Sequence, residues 1–272
     1  MKINKSIIKK AFGIAFISLV FIGCQEMDRP ALGDYPVDVN PPGGPLKFFV
    51  PFDDNTTDPL KFAVDNIRAK YPSDNPLTQT EGISGKGVKG GIPKKFIAYP
   101  SANDFATTAG DMTVAFWSKH AAPTQTEFAF ALTSDNWAKA SMFCLFEGST
   151  TNAIIKLFID EQGTGDHWFE WVGKPGTEVI FDDNWHHLAF VYDSATSVMT
   201  FYVDGEAKGT NTWSDHGKIM FKTSAINGFR IGGSGNPEEG WMNSWSGSLD
   251  QFRLYNTPLS QAEVQELFTE KK

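Results

Sequence analysis

Between Trp185 and Gly205 apolar and polar positions follow a period of two. Leu188, Phe190 and Tyr192 mark one side, Ala189 and Val191 the other, and Phe201 and Val203 resume the alternation beyond a polar break at 193–196. Successive side chains of a strand point to opposite faces, so two such runs joined by turn-forming residues predict a β-hairpin. Asp204-Gly205 predicts a second tight turn, because glycine accepts the positive φ that a hairpin turn of matching twist requires. Similar short runs predict strands over 47–52, 96–99, 112–119, 127–133, 141–147, 153–161, 168–172, 178–181, 186–192, 198–203, 228–231 and 247–255. Strands at this spacing, separated by turn residues, predict an all-β sandwich of two antiparallel sheets. Two helices interrupt the pattern. Ser260-Gln261-Ala262-Glu263 is a capping box that opens a short C-terminal helix, with Val264, Leu267 and Phe268 on its packing face. Asp58-Pro59 begins a second candidate helix reaching about Tyr71.

The wording of these segments is also informative. Trp185-His186-His187-Leu188-Ala189, a Tyr192-Asp193 turn and Tyr202-Val203-Asp204-Gly205 resemble the signature of laminin-G-like, concanavalin A-type β-sandwich domains. Gly247 to Asn256, followed by Pro258-Leu259-Ser260 and Glu263, resembles the closing strand and short helix of the same family. Phe48 to Asp58 is similar to its opening strand and Asx-rich loop, and 82–87 and 112–117 fit the family order. The resemblance implies one jelly-roll sandwich spanning residues 46–272.

The N-terminus has another character. Lys2, Lys5, Lys9 and Lys10 precede an apolar run from Ala11 to Gly23, well short of the roughly 20 residues needed to cross a bilayer. Residues 1–23 therefore read as a signal peptide. Ile22-Gly23-Cys24 with Val20 upstream matches a bacterial lipobox, so Cys24 is the expected lipidation site; an ordinary secretory signal containing a cysteine is the other reading. Gln25-Glu26-Met27-Asp28 resembles the acidic export signal of Bacteroidetes surface lipoproteins, which implies an outer-membrane lipoprotein facing outward, with a periplasm-facing one as the alternative. Residues 24–45, rich in Pro and Gly, read as a tether. The chain has two cysteines; with Cys24 acylated, Cys144 has no partner and sits in an apolar run as a small hydrophobe. Net charge is −8 with no basic cluster beyond the signal, which excludes a nucleic-acid-binding footprint.

Enzymes on this sandwich carry paired carboxylates on one strand, and no such run occurs. Glu170 stands alone, and adjacent Glu238 and Glu239 would point to opposite sides. His186 and His187 likewise face opposite sides of a strand and cannot chelate one ion, which assigns the pair to structural hydrogen bonding. Calcium enters through Asp53, Asn55 and Asp250, the first two in the oxygen-rich loop after the opening strand and the third brought near it by family topology; an Asx turn is the alternative.

Aromatic residues carry the binding expectation. Sugar rings present C–H faces that stack on flat aromatic surfaces. Trp137, Trp213 and Trp241 lie in polar, loop-like surroundings and read as a binding rim. Trp168 and Trp171, three apart on one strand, cannot share a face, and Trp171 is taken as the groove residue. Ala189, Val191, Thr200 and Tyr202 form a shallow face that reads either as a groove floor, with Tyr202 on it, or as a surface covered by another element. Trp117, Trp185 and Trp245 are assigned to packing. The expected function is noncatalytic capture of a polysaccharide or oligosaccharide at the cell surface, beside outer-membrane glycan-import proteins. A glycoside hydrolase or polysaccharide lyase, or a protein-binding adhesion module, are the alternatives.

Overall fold

A computed structural model describes residues 43–53, 76–163 and 165–271. In chain order the strands are β1 (Leu46–Val50), β2 (Thr78–Glu81), β3 (Lys86–Lys89), β4 (Ile97–Tyr99), β5 (Met112–Ala121), β6 (Glu127–Thr133), β7 (Ala140–Ser149) and β8 (Asn152–Asp160). They continue with β9 (Asp166–Val172), β10 (Asp182–Asp193), β11 (Val198–Val203), β12 (Glu206–Thr212), β13 (Gly228–Ile231), β14 (Asn243–Ser244) and β15 (Ser248–Tyr255). Among the described residues two α-helices, α1 (Phe105–Thr108) and α2 (Gln261–Glu270), accompany them.

The strands form two sheets that pack face to face. The eight-stranded sheet runs β12-β11-β10-β5-β15-β3-β2, with β1 also on β15; the seven-stranded sheet runs β4-β13-β6-β7-β8-β9, with β14 on β6. Pairing is antiparallel except for the two-residue β14–β6 bridge. β1 and β3 divide one edge of β15 between them, pairing with 252–255 and 248–249 respectively. Between those stretches β15 bulges, and Gln251 takes a left-handed φ of 51°. That irregularity brings Asp53, just past β1, to the same turn as Asp250.

The core between the sheets is aromatic. Phe116 stacks on Phe252 at 5.3 Å and Phe190 on Phe201 at 4.7 Å, while Phe48 and Phe130 meet their neighbours edge-on. Offset and edge contacts of this kind add to area burial in holding the layers together. Cys144 lies in this core, and burial pushes its thiol well above the ordinary range.

The Asp204-Gly205 turn has the expected form. Both residues have positive φ, 53° and 79°, as a two-residue turn linking β11 to β12 requires. Asp204 also fastens the turn to β10: Oδ1 accepts the His187 N–H at 2.9 Å and Oδ2 faces His186 Nδ1 at 2.7 Å. His186 is thus the hydrogen-bonding histidine expected. The ring of His187 is different, with both nitrogens buried and unpartnered among the described residues.

The C-terminal helix forms through its capping box, Glu263 N–H donating to Ser260 Oγ at 3.3 Å and Ser260 N–H to Glu263 Oε2 at 2.7 Å. It lies on the outer face of the eight-stranded sheet, where Val264 and Leu267 cover Ala115, Ala189, Val191 and Tyr202, and Phe268 stacks on Trp117 at 5.7 Å. The segment 178–181, expected as a strand, is a single 3-10 turn that sets Ile180 and Phe181 into the core. The candidate helix at 58–71 and Cys24, the expected lipidation site, lie outside the described residues.

Candidate ligand-binding face

The outer face of the seven-stranded sheet carries a second aromatic cluster. Phe143, Phe158 and Trp168 stand directly opposite one another on β7, β8 and β9, so their rings form a row across three strands. Ring centroids along it are 4.7 Å apart for Phe143–Phe158 and 4.8 Å for Phe158–Trp168, and Phe128 on β6 extends the row at 5.2 Å from Phe143. An outward-facing row of phenylalanines would be exposed apolar surface unless something covered it.

Two loops do so, each carrying a tryptophan. The 134–139 loop places Trp137 edge-on against Phe158 at 5.8 Å, and the 232–242 loop places Trp241 against Phe128 at 5.7 Å. Trp137 remains 57% exposed and Trp241 40% exposed. Asn136 holds the first loop, its amide donating to the Ala140 carbonyl at 2.7 Å and to Asp160, and its Oδ1 accepting the Ala140 N–H at 2.9 Å. Arg230 holds the second, donating to the Ser234 and Gly235 carbonyls at 2.8 and 2.9 Å with its guanidinium 4.1 Å from the Phe96 ring. The loops touch at Gly235, where a Cβ would collide with the Lys139 carbonyl oxygen. Glycine is there because two backbones meet.

A polar row lies beside the aromatic one. Lys156 on β8 extends its Nζ to 3.7 Å from Glu147 Oε2 and 3.3 Å from Glu170 Oε1, and lies 6.0 Å from the Trp168 ring. Flat indole faces next to carboxylates and an ammonium form an amphipathic surface suited to a ligand with apolar faces and hydroxyl edges. Glu170 does not stand alone, as its position in the sequence suggested; pairing across β8 brings Glu147 to the same lysine.

The residues singled out from sequence separate into two groups. Trp137 and Trp241 are on this face. Trp171 is not: it is 0% exposed, faces the inter-sheet core against Phe190 and Phe201, and its Nε1 donates to the Gly209 carbonyl at 3.0 Å, tying β9 to β12. Strand parity places Trp168, with Glu170, on the outer side instead. Tyr202 is buried beneath α2, so the shallow face is a helix seat and not a groove floor. Trp213 is half-buried, stacked on His167 at 4.9 Å and His216 at 3.6 Å, and closes one end of the core. Burial, then the charge of His216, lowers the His167 pKa. Trp117 and Trp245 are packing residues as expected, and Trp185 is half-buried.

Asp53 and Asp250 do meet, both at the Gly82–Gly87 turn. Asp53 Oδ1 accepts the Lys86 N–H at 2.7 Å, Asp250 Oδ2 accepts those of Ile83 and Ser84 at 2.8 and 3.3 Å, and Asp250 Oδ1 that of Gln251 at 2.7 Å. Burial raises the Asp250 carboxyl to about 7 against the pull of those three N–H groups, and Asp53 adds to the rise. These oxygens face donors, whereas a hard cation takes six to eight oxygen ligands. Asn55, the third expected ligand, lies outside the described residues.

One cluster resembles a hydrolase triad by residue type. His120 Nε2 is 2.9 Å from Glu127 Oε2, and Ser246 Oγ is 2.9 Å from Glu127 Oε1 and 3.4 Å from His120 Nε2. In a working triad one imidazole nitrogen accepts from the serine while the other donates to the carboxylate. Here Nδ1 faces the Ala121 carbonyl and Nε2 faces the carboxylate, so neither nitrogen is left to take the Ser246 proton. Glu127 also accepts the Ser246 N–H at 2.7 Å, making the group a clamp between β5, β6 and the chain entering β15.

Two antiparallel sheets, one carrying an outward aromatic row capped by exposed indoles, define a lectin-like β-sandwich. The chain belongs to the concanavalin A-like lectin/glucanases superfamily, whose laminin G model matches residues 95–265. No curated protein matches the sequence. Among solved structures, the chain is similar to domain 4 of an extracellular GH43 arabinanase from Geobacillus stearothermophilus, solved with arabinotriose. That match has TM-score 0.54 and 18% identity, over 82% of this chain and 97% of that one. It is also similar to the binding domain of botulinum neurotoxin DC, solved with SialylT (TM-score 0.58, 9% identity, 84% of this chain and 52% of that one). The same toxin domain, solved with rat synaptotagmin II, matches with TM-score 0.56 and 8% identity over 84% of this chain and 52% of that one. The chain spans about half the length of those toxin domains, and likeness at such identity extends to the fold.

Proposed function

We propose that this chain is a noncatalytic glycan-binding module that captures polysaccharide on the outer face of its seven-stranded sheet. The observation that carries the reading is the pair of exposed indoles, Trp137 and Trp241, held by braced loops over a buried aromatic row. Stacking against sugar C–H faces supplies affinity, and Glu147, Lys156 and Glu170 supply hydrogen-bond partners for hydroxyls. The three charged groups are tied to one another, an arrangement for positioning and not for proton transfer. The solution of a related fold with arabinotriose supports a sugar ligand as a class. On this reading a lipid on Cys24 and the tether over 24–45 hold the domain at the outer membrane, where captured glycan passes to import proteins.

The test is retention of the domain in native gels cast with plant, algal and host polysaccharides. Selective retardation by a glycan, lost in Trp137→Ala and Trp241→Ala, is the expected result. Release of product sugars would overturn the noncatalytic reading, and sugar-independent capture of a protein would replace glycan with protein as the ligand.

A further inference from the structure

Strands β7, β8 and β9 contribute five charged side chains to the outer side: Glu147, Asp166 and Glu170 are accessible carboxylates, Asp160 is a buried one held by Asn136 and the Gln162 N–H, and Lys156 is the one ammonium. Register places them on this side. Asp160 stands opposite Asp166, Lys156 stands opposite Glu170, and both pairs share parity with the Phe158–Trp168 pair between them. The lysine is already shared between Glu147 and Glu170. Of the cations on the bracing elements, Lys94 and Arg230 are engaged; Lys139 is exposed on the 134–139 loop, where the two tryptophan loops also carry Asp135, Glu238 and Glu239. Lys94 Nζ lies 2.5 Å from Glu238 Oε2, and Arg230 serves two carbonyls and the Phe96 ring. A negatively charged ligand would therefore bring its charge to a surface where carboxylates outnumber cations. Like charges facing each other across an interface oppose binding and so act as a filter between partners. A hydroxylated neutral ligand meets no such barrier, because carboxylates accept hydroxyl hydrogen bonds readily.

Resting on the glycan-capture reading above, we propose that this face selects neutral polysaccharides and rejects chains bearing uronate or sulfate groups. The exposed indoles supply affinity that is indifferent to charge, and the carboxylate row supplies the discrimination.

The experiment offers the whole chain each of several neutral polysaccharides, arabinan, galactan, xylan and β-glucan, beside its chemically sulfated form. Binding is measured at low and high salt, with Trp137→Ala, Trp241→Ala and the double variant Glu147→Gln/Glu170→Gln in parallel. A neutral polymer should bind with little salt dependence. Its sulfated form should bind about tenfold or more weakly at low salt, and the gap should narrow as the Debye length contracts from about 10 Å at 0.1 M to about 3 Å at 1 M. Removing two carboxylates in the double variant should also narrow it. Sulfated polymer bound as well as or better than neutral, with loss in the tryptophan variants, would overturn the selectivity while leaving glycan capture standing. Retention of no polymer, or retention unchanged in both tryptophan variants, would overturn the capture reading and this inference with it.

Discussion

Replacing His187 with phenylalanine should flatten the loss of stability that the protein suffers in mild acid. The ring is 1% exposed, packs against Trp117 at 5.3 Å and has no hydrogen-bond partner among the described residues. Burial, then the positive charge of Arg253, lowers its pKa to about 3, against a weaker upward pull from Asp204. In the unfolded chain a histidine titrates near 6.5. Between those values the unfolded state takes up a proton that the folded state refuses. Unfolding free energy therefore falls as pH falls, by about 1.4 kcal/mol per pH unit within the window. From about pH 7.5 to about pH 5 this one residue should remove about 2 kcal/mol. Phenylalanine binds no proton, so the variant should gain on the wild type by that amount over the same interval. At neutral pH relief of two unpartnered nitrogens, about 1–3 kcal/mol, is opposed by added ring bulk of similar cost. The diagnostic is therefore the slope. Urea unfolding followed by tryptophan fluorescence at several pH values gives both curves. Parallel curves from neutral to acid pH, or a His187 resonance titrating near its ordinary value, would refute the reasoning.

Three further outcomes follow from the packing. Trp171→Ala should cost about 3–5 kcal/mol in urea unfolding, because it opens a cavity between the sheets and frees the Gly209 carbonyl; a loss under 1 kcal/mol would show that the β9–β12 edge is held otherwise. Burial lowers the affinity of His186 for protons, but its bonds and ion pairs with Asp204 and then Asp182 prevail and raise its pKa. Folding energy from that proton is present below the ordinary value and lost as pH rises through the raised one. Asp204→Ala should lower the His186 pKa in an NMR titration and shrink that acid-side contribution. Gly235→Ala should force the two tryptophan loops apart, weakening glycan retention severalfold while leaving the far-ultraviolet circular dichroism unchanged.

Much of the sandwich was legible because its central strands set large apolar side chains on the inter-sheet face and smaller ones on the other. β10 and β11 are paired on both sides and alternate large and small side chains; β11 has its expected bounds, whereas β10 starts four residues earlier than expected, beyond an irregularity between Asp182 and Trp185. The strands β2 and β12 escaped notice for the opposite reason. Thr78–Glu81 and Glu206–Thr212 lie at sheet edges with both faces largely solvated, leaving no apolar period to detect. The apolar run at 178–181 read as a strand because period cannot separate four buried residues of a turn from four of a strand. On the candidate face, the exposure of Trp137 and Trp241 was readable from their polar surroundings. The choice of Trp171 over Trp168 was the error, and a signal was available: Trp168 shares parity with charged Glu170, whereas Trp171 shares it with Phe169. Tyr202 had no such signal, since its burial depends on where α2 docks, a tertiary contact spanning some sixty residues of sequence.

The docking of α2 has a wider effect. By covering the centre of the outer face of the eight-stranded sheet it leaves, among the described residues and on the glycan reading, the seven-stranded sheet's outer side as the one binding face. A single weak site cannot crosslink polymer strands, so a bound polysaccharide would be free to slide and to be handed on. Firm hold would come from many tethered copies engaging successive repeats of one polymer, where each further contact is made at the high local concentration set by the first. Retention would then depend steeply on how densely the chain is displayed, and would fade as a polymer is cut to pieces too short to span two copies.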